Sequence, residues 1–315
     1  MKPVTLAPGI GDNAPTAALY YGQDVRDSLR LLSDASVHTV CTSPPYFGLR
    51  DYGKDGQIGL EPTPDEFVES LVEVFREIKR VLRPDGTLWV NLGDSYNNRS
   101  VARPSSHQGG LGFKNDSIQT SWADHTKGGR TRLSLRTEGF KEKDILGIPW
   151  RMAFALQQDG WYLRQDIVWH KPFCMPESVR DRCTKSHEYV FLLAHPDSGG
   201  RYYYDADAIR RPTGNKRSVW SVNPKPYRGA HFACWPPDLV RPMILAGCPV
   251  GGTVLDPFSG SATTGMVALQ EARNYVGIDL NSDYLGLAQA RIEGRKAPQP
   301  VEPDSERDIF DLFGG

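Results

Sequence analysis

Short apolar runs alternate with amphipathic stretches along most of this chain. Residues 37–41 and 188–193 are almost continuously apolar, which is typical of buried strands. Residues 64–82 place apolar side chains at helical spacing, after a proline and two acidic residues that favour a helix start. The Arg-Pro-Asp-Gly sequence at 83–86 predicts a turn after this helix. The pattern therefore predicts strands and helices in alternation.

Thirteen elements are predicted in this way. Strands are expected at residues 18–21, 37–41, 87–92, 161–169, 188–193, 253–256 and 275–279, and helices at 25–33, 64–82, 149–158, 236–246, 263–272 and 283–295. Such alternation predicts an α/β fold with a mostly parallel sheet and helices on both faces. Ligands of such sheets bind beyond the carboxyl ends of the strands. Polar residues follow four predicted strands there, at Asp24, Ser43, Asp94 and Asp256, and we expect them to converge on one crevice.

Three segments lack this periodicity. Residues 1–17 are rich in proline and glycine and are expected to form an irregular arm, and residues 296–315 are acidic and predicted to be disordered. Residues 97–143 form a polar, glycine-rich insert, and an insert of that length usually has a function or is disordered. One domain is therefore expected over residues 18–295.

The net charge of −1 says nothing about nucleic acid, but the distribution of charge does. Residues 97–137 and residues 201–228 each carry seven basic and two acidic side chains. Two such segments suit a phosphate-binding face, although solvated loops have a similar composition.

Cysteine and histidine spacing argues against metal and disulfide chemistry. The five cysteines are scattered without a C-x-x-C pair, and the seven histidines show no metal-ligand spacing. There is neither a membrane-length apolar run nor a basic-then-apolar leader, so an intracellular, cytoplasmic protein is expected.

The first candidate chemistry lies at residues 42–46, Thr-Ser-Pro-Pro-Tyr, directly after a predicted strand. Each proline fixes its own φ and holds the preceding residue extended, and Pro44 and Pro45 have no backbone N–H. The result is a stiff arch that presents carbonyl oxygens, the Ser43 hydroxyl and the Tyr46 ring. Its oxygens can accept hydrogen bonds from an amine while the ring stacks on a planar base. A proline turn that merely ends a strand is the alternative.

The second candidate is the loop at residues 255–265, rich in small residues, which joins a predicted strand to a helix. Small residues let the backbone approach a ligand, and Asp279 follows Gly260 by 19 positions, where an acidic residue can hold ribose hydroxyls. Tight packing alone could explain such a loop. A nicotinamide cofactor is disfavoured because a second nucleotide-binding half is missing, and a nucleoside triphosphate because there is no Gly-x-x-x-x-Gly-Lys-Ser/Thr loop.

Together these motifs resemble the S-adenosylmethionine-dependent amino-group DNA methyltransferases. The resemblance runs from about residue 19 to 295 and also includes residues 169–172, 178–182 and 231–236. The order, with the catalytic motif first and the cofactor loop last, resembles the circularly permuted beta group. This implies a Rossmann-like catalytic domain in which strand 18–21 lies beside strand 275–279. One departure is Ala262, where the family loop usually has glycine.

The resemblance implies roles for the matching residues. Ser43, Pro44, Pro45 and Tyr46 would be catalytic. Residues Asp24, Thr42, Phe232, Ala233, Trp235, Asp256, Phe258, Gly260, Ser261, Thr263 and Asp279 would bind S-adenosylmethionine. Candidates for DNA contact are Lys171, Arg182, Arg210, Arg211, Lys216 and Arg217, with target recognition expected in residues 196–230. No metal is expected. Double-stranded DNA is the implied partner, and a cognate restriction endonuclease is compatible with the family.

The expected reaction is methyl transfer to the exocyclic amine of a base that has swung out of the duplex. Serine at the head of the Pro-Pro motif favours cytosine N4 within the family, and adenine N6 is the alternative. Two other functions stay open, namely transfer to RNA or a protein amide, and DNA binding without catalysis. A C5-type cytosine mechanism would need a cysteine nucleophile, and Cys41 is expected to point into the core instead.

Overall fold

A computed structural model describes residues 2–8, 14–49, 51, 53–97, 137, 139–225 and 234–295. The predicted unstructured insert and acidic tail fall largely or wholly outside these ranges. The strands are β1 Val4–Leu6, β2 Ala17–Tyr21, β3 Val37–Thr42, β4 Leu82–Leu92, β5 Tyr162–His170, β6 His187–Ala194, β7 Val219–Ser221, β8 Thr253–Asp256 and β9 Asn274–Asp279. The helices are α1 Val25–Arg30, α2 Pro64–Val81, α3 Ile148–Gln158, α4 Pro237–Gly247, α5 Thr263–Gln270 and α6 Leu285–Ile292.

The described strands form one sheet in the order β1-β2-β9-β8-β3-β4-β6-β5-β7. The pairs along β2-β9-β8-β3-β4 are parallel, whereas β4, β6 and β5 pair antiparallel. The predicted pairing of the first and last core strands is confirmed, since β2 and β9 run parallel from Ala17↔Tyr275 to Tyr21↔Asp279. The sheet is therefore complete only when both chain ends contribute to it.

Helices cover both faces of the sheet, as predicted. Helices α1, α2 and α3 pack on one face through side chains such as Leu29, Phe75 and Met152. Helices α4, α5 and α6 cover the other, where Cys41 is fully buried beside side chains such as Met243. Burial raises the pKa of the Cys41 thiol well above its ordinary value, so it is a core residue and not a nucleophile.

Several boundaries differ from the pattern-based prediction. The turn expected at residues 83–86 belongs to β4, where the register against β3 shifts between Val37↔Leu82 and Thr39↔Thr87. The arm expected to be irregular contains β1, which pairs antiparallel with β2. The edge strand β7 has no counterpart among the predicted elements, and α6 begins only after a 3-10 turn at Ser282–Tyr284. Such short elements depend on pairing and capping partners distant in sequence, which local periodicity does not record. None of the helices in the described ranges has both the length and the apolar character needed to cross a membrane.

Candidate active site

A cavity of about 290 Å³ opens at the carboxyl ends of the parallel strands. It is bounded by the segments after β2, β3, β8 and β9 and by side chains from β4, β5 and β6. Its wall includes Asp24, Ser43, Pro44, Pro45, Tyr46, Lys54, Asn91, Trp169, Lys171, Glu188, Trp235, Phe258, Gly260, Ser261, Asp279 and Asn281. Of the four polar residues expected to converge on one crevice, Asp24 and Ser43 line this cavity. The Asp94 carboxylate instead accepts a 3.0 Å hydrogen bond from the Ile148 N–H at the start of α3.

The diproline arch leaves β3 at Thr42 and forms one wall of this cavity. The Ser43 Oγ lies 3.2 Å from Asn91 Oδ1. The Tyr46 hydroxyl lies 3.1 Å from the same oxygen and 2.7 Å from Glu188 Oε2. The Tyr46 ring packs over Gly93, where a Cβ atom would approach the ring to 2.5 Å. A glycine is therefore needed there to let the ring lie in this position.

A polar network supports the arch from β4 and β6. The buried Asn91 amide donates to the Tyr189 carbonyl over 3.0 Å and to Glu188 Oε2 over 3.3 Å. Glu188 also pairs with Lys171, whose Nζ lies 4.1 Å from the centre of the Trp169 ring. The sequence reasoning did not single out Asn91 or Glu188. A polar residue inside an apolar strand near its carboxyl end was the signal that could have found Asn91.

One carboxylate of the small-residue loop, that of Asp256, lies behind the cavity wall. Asp256 is buried and accepts from Thr42 Oγ1 at 2.9 Å, from Thr264 Oγ1 at 2.6 Å and from the Phe258 N–H at 3.2 Å. Burial raises the pKa of Asp256 to about 6, although these three hydrogen bonds lower it. Of the residues predicted to bind a cofactor, Thr42, Asp256 and Thr263 lie behind the wall, whereas Phe258, Gly260 and Ser261 form part of it.

Asp279 lies in the wall beside this loop. Its two carboxylate oxygens accept from the backbone N–H groups of Gly260, at 2.7 Å, and Asn281, at 2.8 Å. Burial raises the pKa of Asp279 to about 6, and the two backbone donors lower it. Beneath the loop, the Ser259 hydroxyl lies 2.7 Å from the hydroxyls of both Tyr21 and Tyr275. The loop backbone is thus fixed by β2 and β9 together.

The backbone conformation at Ala262 shows why glycine is usual at this position of the loop. Its φ is 56°, in the left-handed region that favours glycine, and its side chain is fully buried. It precedes α5 and its N–H donates to the Ser259 carbonyl over 2.8 Å. The chain therefore keeps the loop geometry with a strained alanine.

Asp24 and Trp235 also line the cavity. Asp24 caps α1 and pairs with Arg26 Nη2 at 2.9 Å, and this hydrogen-bonded partner lowers the pKa of the carboxyl group. Trp235 follows Cys234, whose Sγ lies 3.0 Å from Ser261 Oγ. The predicted cofactor residues Phe232 and Ala233 lie outside the described residues.

The predicted DNA-contacting residues are dispersed. Lys171 lies in the cavity wall, and Arg182 pairs with Glu177 and lies 4.0 Å from the centre of the Tyr96 ring. In the second basic segment, Arg210 pairs with Asp207 and Lys216 lies over the Trp220 ring. Arg211 and Arg217 are exposed.

The sequence is similar to known DNA methylases. The sequence profile of a protein family described as DNA methylase matches residues 37–290. The type II methyltransferase M.Cfr9I of Citrobacter freundii is 49% identical over 286 residues, covering 88% of each chain. The type II methyltransferase M.SmaI of Serratia marcescens is 47% identical over 284 residues, covering 87% of this chain and 90% of its own.

Solved structures share the fold. The PvuII DNA methyltransferase (cytosine-N4-specific) superimposes with a TM-score of 0.63 at 18% identity, over 87% of this chain and 86% of that chain. A putative DNA modification methylase of Thermus thermophilus, in complex with S-adenosyl-L-methionine, gives 0.58 at 24% identity, over 87% and 92%. Both likenesses support the Rossmann-like α/β architecture.

Proposed function

The chain belongs to the DNA methylase family of N4/N6 amino-methyltransferases, and from this membership we propose that it methylates the exocyclic N4 of cytosine in duplex DNA, with S-adenosylmethionine as methyl donor. The observation that supports this most is that the Ser43-Pro44 arch and the Gly260–Asp279 wall face the same cavity. One offers acceptors for an amine, and the other is built to hold a nucleoside.

The cavity fits a cationic methyl donor. Among the described residues, its wall carries the carboxyl group of Asp279, which only backbone N–H groups bond, and that of Asp24, which is paired with Arg26. The two lysines described there are paired as well, Lys171 with Glu188 and Lys54 with Asp283 at 3.4 Å. A wall with these charges suits a sulfonium and an ammonium group better than a pyrophosphate. Asp279 would hold the ribose hydroxyls, and Phe258 and Trp235 offer apolar surface for the adenine. When bound, the donor supplies an electrophilic methyl group.

The arch supplies the chemistry at the base. The lone pair of an exocyclic amine is delocalised into the ring, which makes the amine a poor nucleophile. The Ser43 Oγ and the Pro44 carbonyl would accept its two N–H groups, favour tetrahedral nitrogen and free the pair for attack. Positioning and electrostatic stabilisation then provide most of the rate enhancement. Tyr46 would stack on the extruded base, because the target atom is inaccessible in a stacked duplex.

DNA binding is assigned to the basic segments. We place sequence recognition in residues 196–230, with a contribution from residues 97–143. Arg210, Arg211, Lys216 and Arg217 would contact phosphates, as would Arg182. The relatives are named type II methyltransferases, and a cognate restriction endonuclease would be the corresponding partner in the bacterial cytoplasm.

The base assignment is tested by digesting methylated DNA to nucleosides and analysing them by mass spectrometry. We expect N4-methylcytosine, and N6-methyladenine would overturn the choice of base while leaving the amino-methyltransferase in place. Transfer of labelled methyl groups to duplex DNA, RNA and protein in parallel tests the substrate class. Transfer to RNA or protein only would overturn the proposal, as would no transfer at all.

A further inference from the structure

The orientation of the Asn91 side chain is fixed by its surroundings. Its Nδ2 faces two acceptors, the Tyr189 carbonyl and Glu188 Oε2, at 3.0 Å and 3.3 Å. A flipped amide would direct its oxygen at both of them, which is unfavourable in a buried site. Asn91 Oδ1 must therefore face the hydroxyls of Ser43 and Tyr46.

This orientation determines where the Ser43 proton lies. Asn91 Oδ1 is an acceptor only, so a hydroxyl bonded to it has to donate. The Tyr46 hydroxyl has a single proton and lies nearer to Glu188 Oε2, at 2.7 Å, than to Asn91 Oδ1, at 3.1 Å. Tyr46 therefore donates its hydrogen bond to Glu188, and Asn91 Oδ1 accepts the hydrogen bond that the Ser43 hydroxyl donates over 3.2 Å.

Glu188 holds this arrangement from β6. Its Oε2 accepts hydrogen bonds from the Tyr46 hydroxyl and from the Asn91 amide, and its other oxygen pairs with Lys171. The two paired side chains, Lys171 and Glu188, are only 19% and 14% exposed. A partly buried ion pair with two further donors keeps Glu188 an acceptor on both oxygens.

We propose that Asn91, oriented by Glu188 and the Tyr189 carbonyl, is a positioning residue that makes the Ser43 hydroxyl an obligate acceptor towards the target base. The inference rests on the proposed function of the arch. With the Ser43 proton directed at Asn91 and no N–H on Pro44, the arch accepts and does not donate. It therefore selects an exocyclic amine and rejects a ring carbonyl at the same position. Since an amide takes up no proton at neutral pH, Asn91 orients Ser43 without relaying a proton.

The selection is tested by binding, once the methylated base has been mapped by sequencing. Duplexes with cytosine or uracil at that position would be titrated in the presence of the donor's demethylated product. We expect the wild-type protein to bind the cytosine duplex at least about tenfold more tightly, on the order of one unmatched buried hydrogen-bonding group. In Asn91→Leu the Ser43 hydroxyl can turn and donate, so the ratio should fall towards one. Equal discrimination by the wild type and this variant would overturn the inference.

A pH profile separates orientation from simple packing. In Asn91→Asp a second carboxylate oxygen replaces the amide nitrogen and faces the Tyr189 carbonyl and Glu188. The new carboxyl group and that of Glu188 are best accommodated when one of the two is protonated. The ionisable groups around this position are Tyr46, Glu188 and Lys171, with Lys185 and His187 beyond Glu188. We expect kcat to fall about 10- to 100-fold at pH 8 and to recover towards pH 6, with an unchanged KM for the donor.

Asn97→Asp is the matched control. Asn97 is also buried, and its amide donates to backbone carbonyls, such as that of Phe140 at 2.8 Å, away from the cavity. It should lose stability without any change in the pH dependence of kcat. A flat profile for Asn91→Asp, or the same profile in Asn97→Asp, would refute the positioning role. If the wild type methylates no base amine, the proposed function itself fails, and that result is seen before any variant is made.

Discussion

The hydroxyl of Thr42, the last residue of β3, donates a 2.9 Å hydrogen bond to the carboxylate of Asp256, the last residue of β8. The first residue opens the diproline arch, and the second opens the small-residue loop. This bond connects the two motifs directly beneath the cavity. The relative position of the diproline arch and the Gly260–Asp279 wall is therefore set in the core of the sheet, and not by the surface loops.

Without bound S-adenosylmethionine, the protein should become less stable as the pH rises, because of Asp256. Its pKa is about 6 in the folded state and near 3.8 when exposed, so the folded state binds the proton more tightly. Stability from this group is full below about pH 4 and is lost as the pH rises through about 6, by about 3 kcal/mol.

Asp256→Asn removes this titration and keeps an amide that can still bond the loop. Urea unfolding of both proteins between pH 4 and pH 8 measures the difference. A constant gap in unfolding free energy over that range would show that Asp256 does not titrate there.

Ser43→Ala should lower turnover without weakening donor binding. It removes one of two amine acceptors, a change comparable to loss of one oxyanion-hole donor, so we expect kcat to fall on the order of 100-fold or more. Single-turnover methylation gives the rate, and equilibrium titration gives the donor Kd. Unchanged turnover would discard the assignment of Ser43.

Donor affinity should weaken below about pH 6 because of Asp279. The bound ribose favours the ionised carboxylate, so affinity is full above the pKa of about 6 in the free protein and declines as the pH falls through it. Calorimetric titration from pH 5 to pH 8 measures this dependence.

Asp279→Asn should bind the donor about 10- to 100-fold more weakly, since a charged acceptor is lost, and with less pH dependence. Asp256→Asn serves as the control, because that residue lies behind the wall. If it abolishes the pH dependence instead, the titrating group is Asp256.

Gly93→Ala should displace the Tyr46 ring and reduce methylation. The added Cβ would approach Tyr46 Cε2 to 2.5 Å, so the ring has to move out of its position. We expect a loss of about tenfold or more in kcat, corresponding to at least one lost base-stacking contact. Tyr46→Phe keeps the ring and removes only the hydroxyl, and it should be the milder change. Equal activity of Gly93→Ala and the wild type would exclude a role for the ring position.

Exposed arginines of the second basic segment should bind DNA without reading its sequence. Arg211→Ala and Arg217→Ala should each weaken binding to all duplexes and reduce the slope of log K against log salt by about one. Arg30→Ala, an exposed α1 residue paired with Asp27, is the control and should leave the slope unchanged. A loss confined to one sequence would mean base reading instead.

Much of the fold followed from local pattern, because the core strands and helices are strongly periodic and bounded by proline or glycine. The two motifs also reached the same cavity as expected, since both follow parallel strands. The strand pattern could have marked Asn91, but its contacts with Glu188 could not be predicted, because they arise from the antiparallel pairing of β4 with β6, where Asn91 is opposite Val190. Asp256 was expected to bind the cofactor, and the packing adds that its buried carboxylate accepts from the hydroxyls of Thr42 and Thr264 and from the Phe258 N–H.

The pairing of β2 with β9 bears on how this chain could be rearranged. Residues 16 and 274 already meet at the edge where both strands begin, through a 2.9 Å hydrogen bond from the Thr16 N–H to Asn274 Oδ1. The sheet is therefore held at this edge by strand pairing, although no chain connection joins β2 to β9 directly. A gene rewritten to start at codon 234 and end at codon 233, with residue 295 tethered to residue 14, should yield an active enzyme in which the Gly260–Asp279 wall is synthesised before the diproline arch.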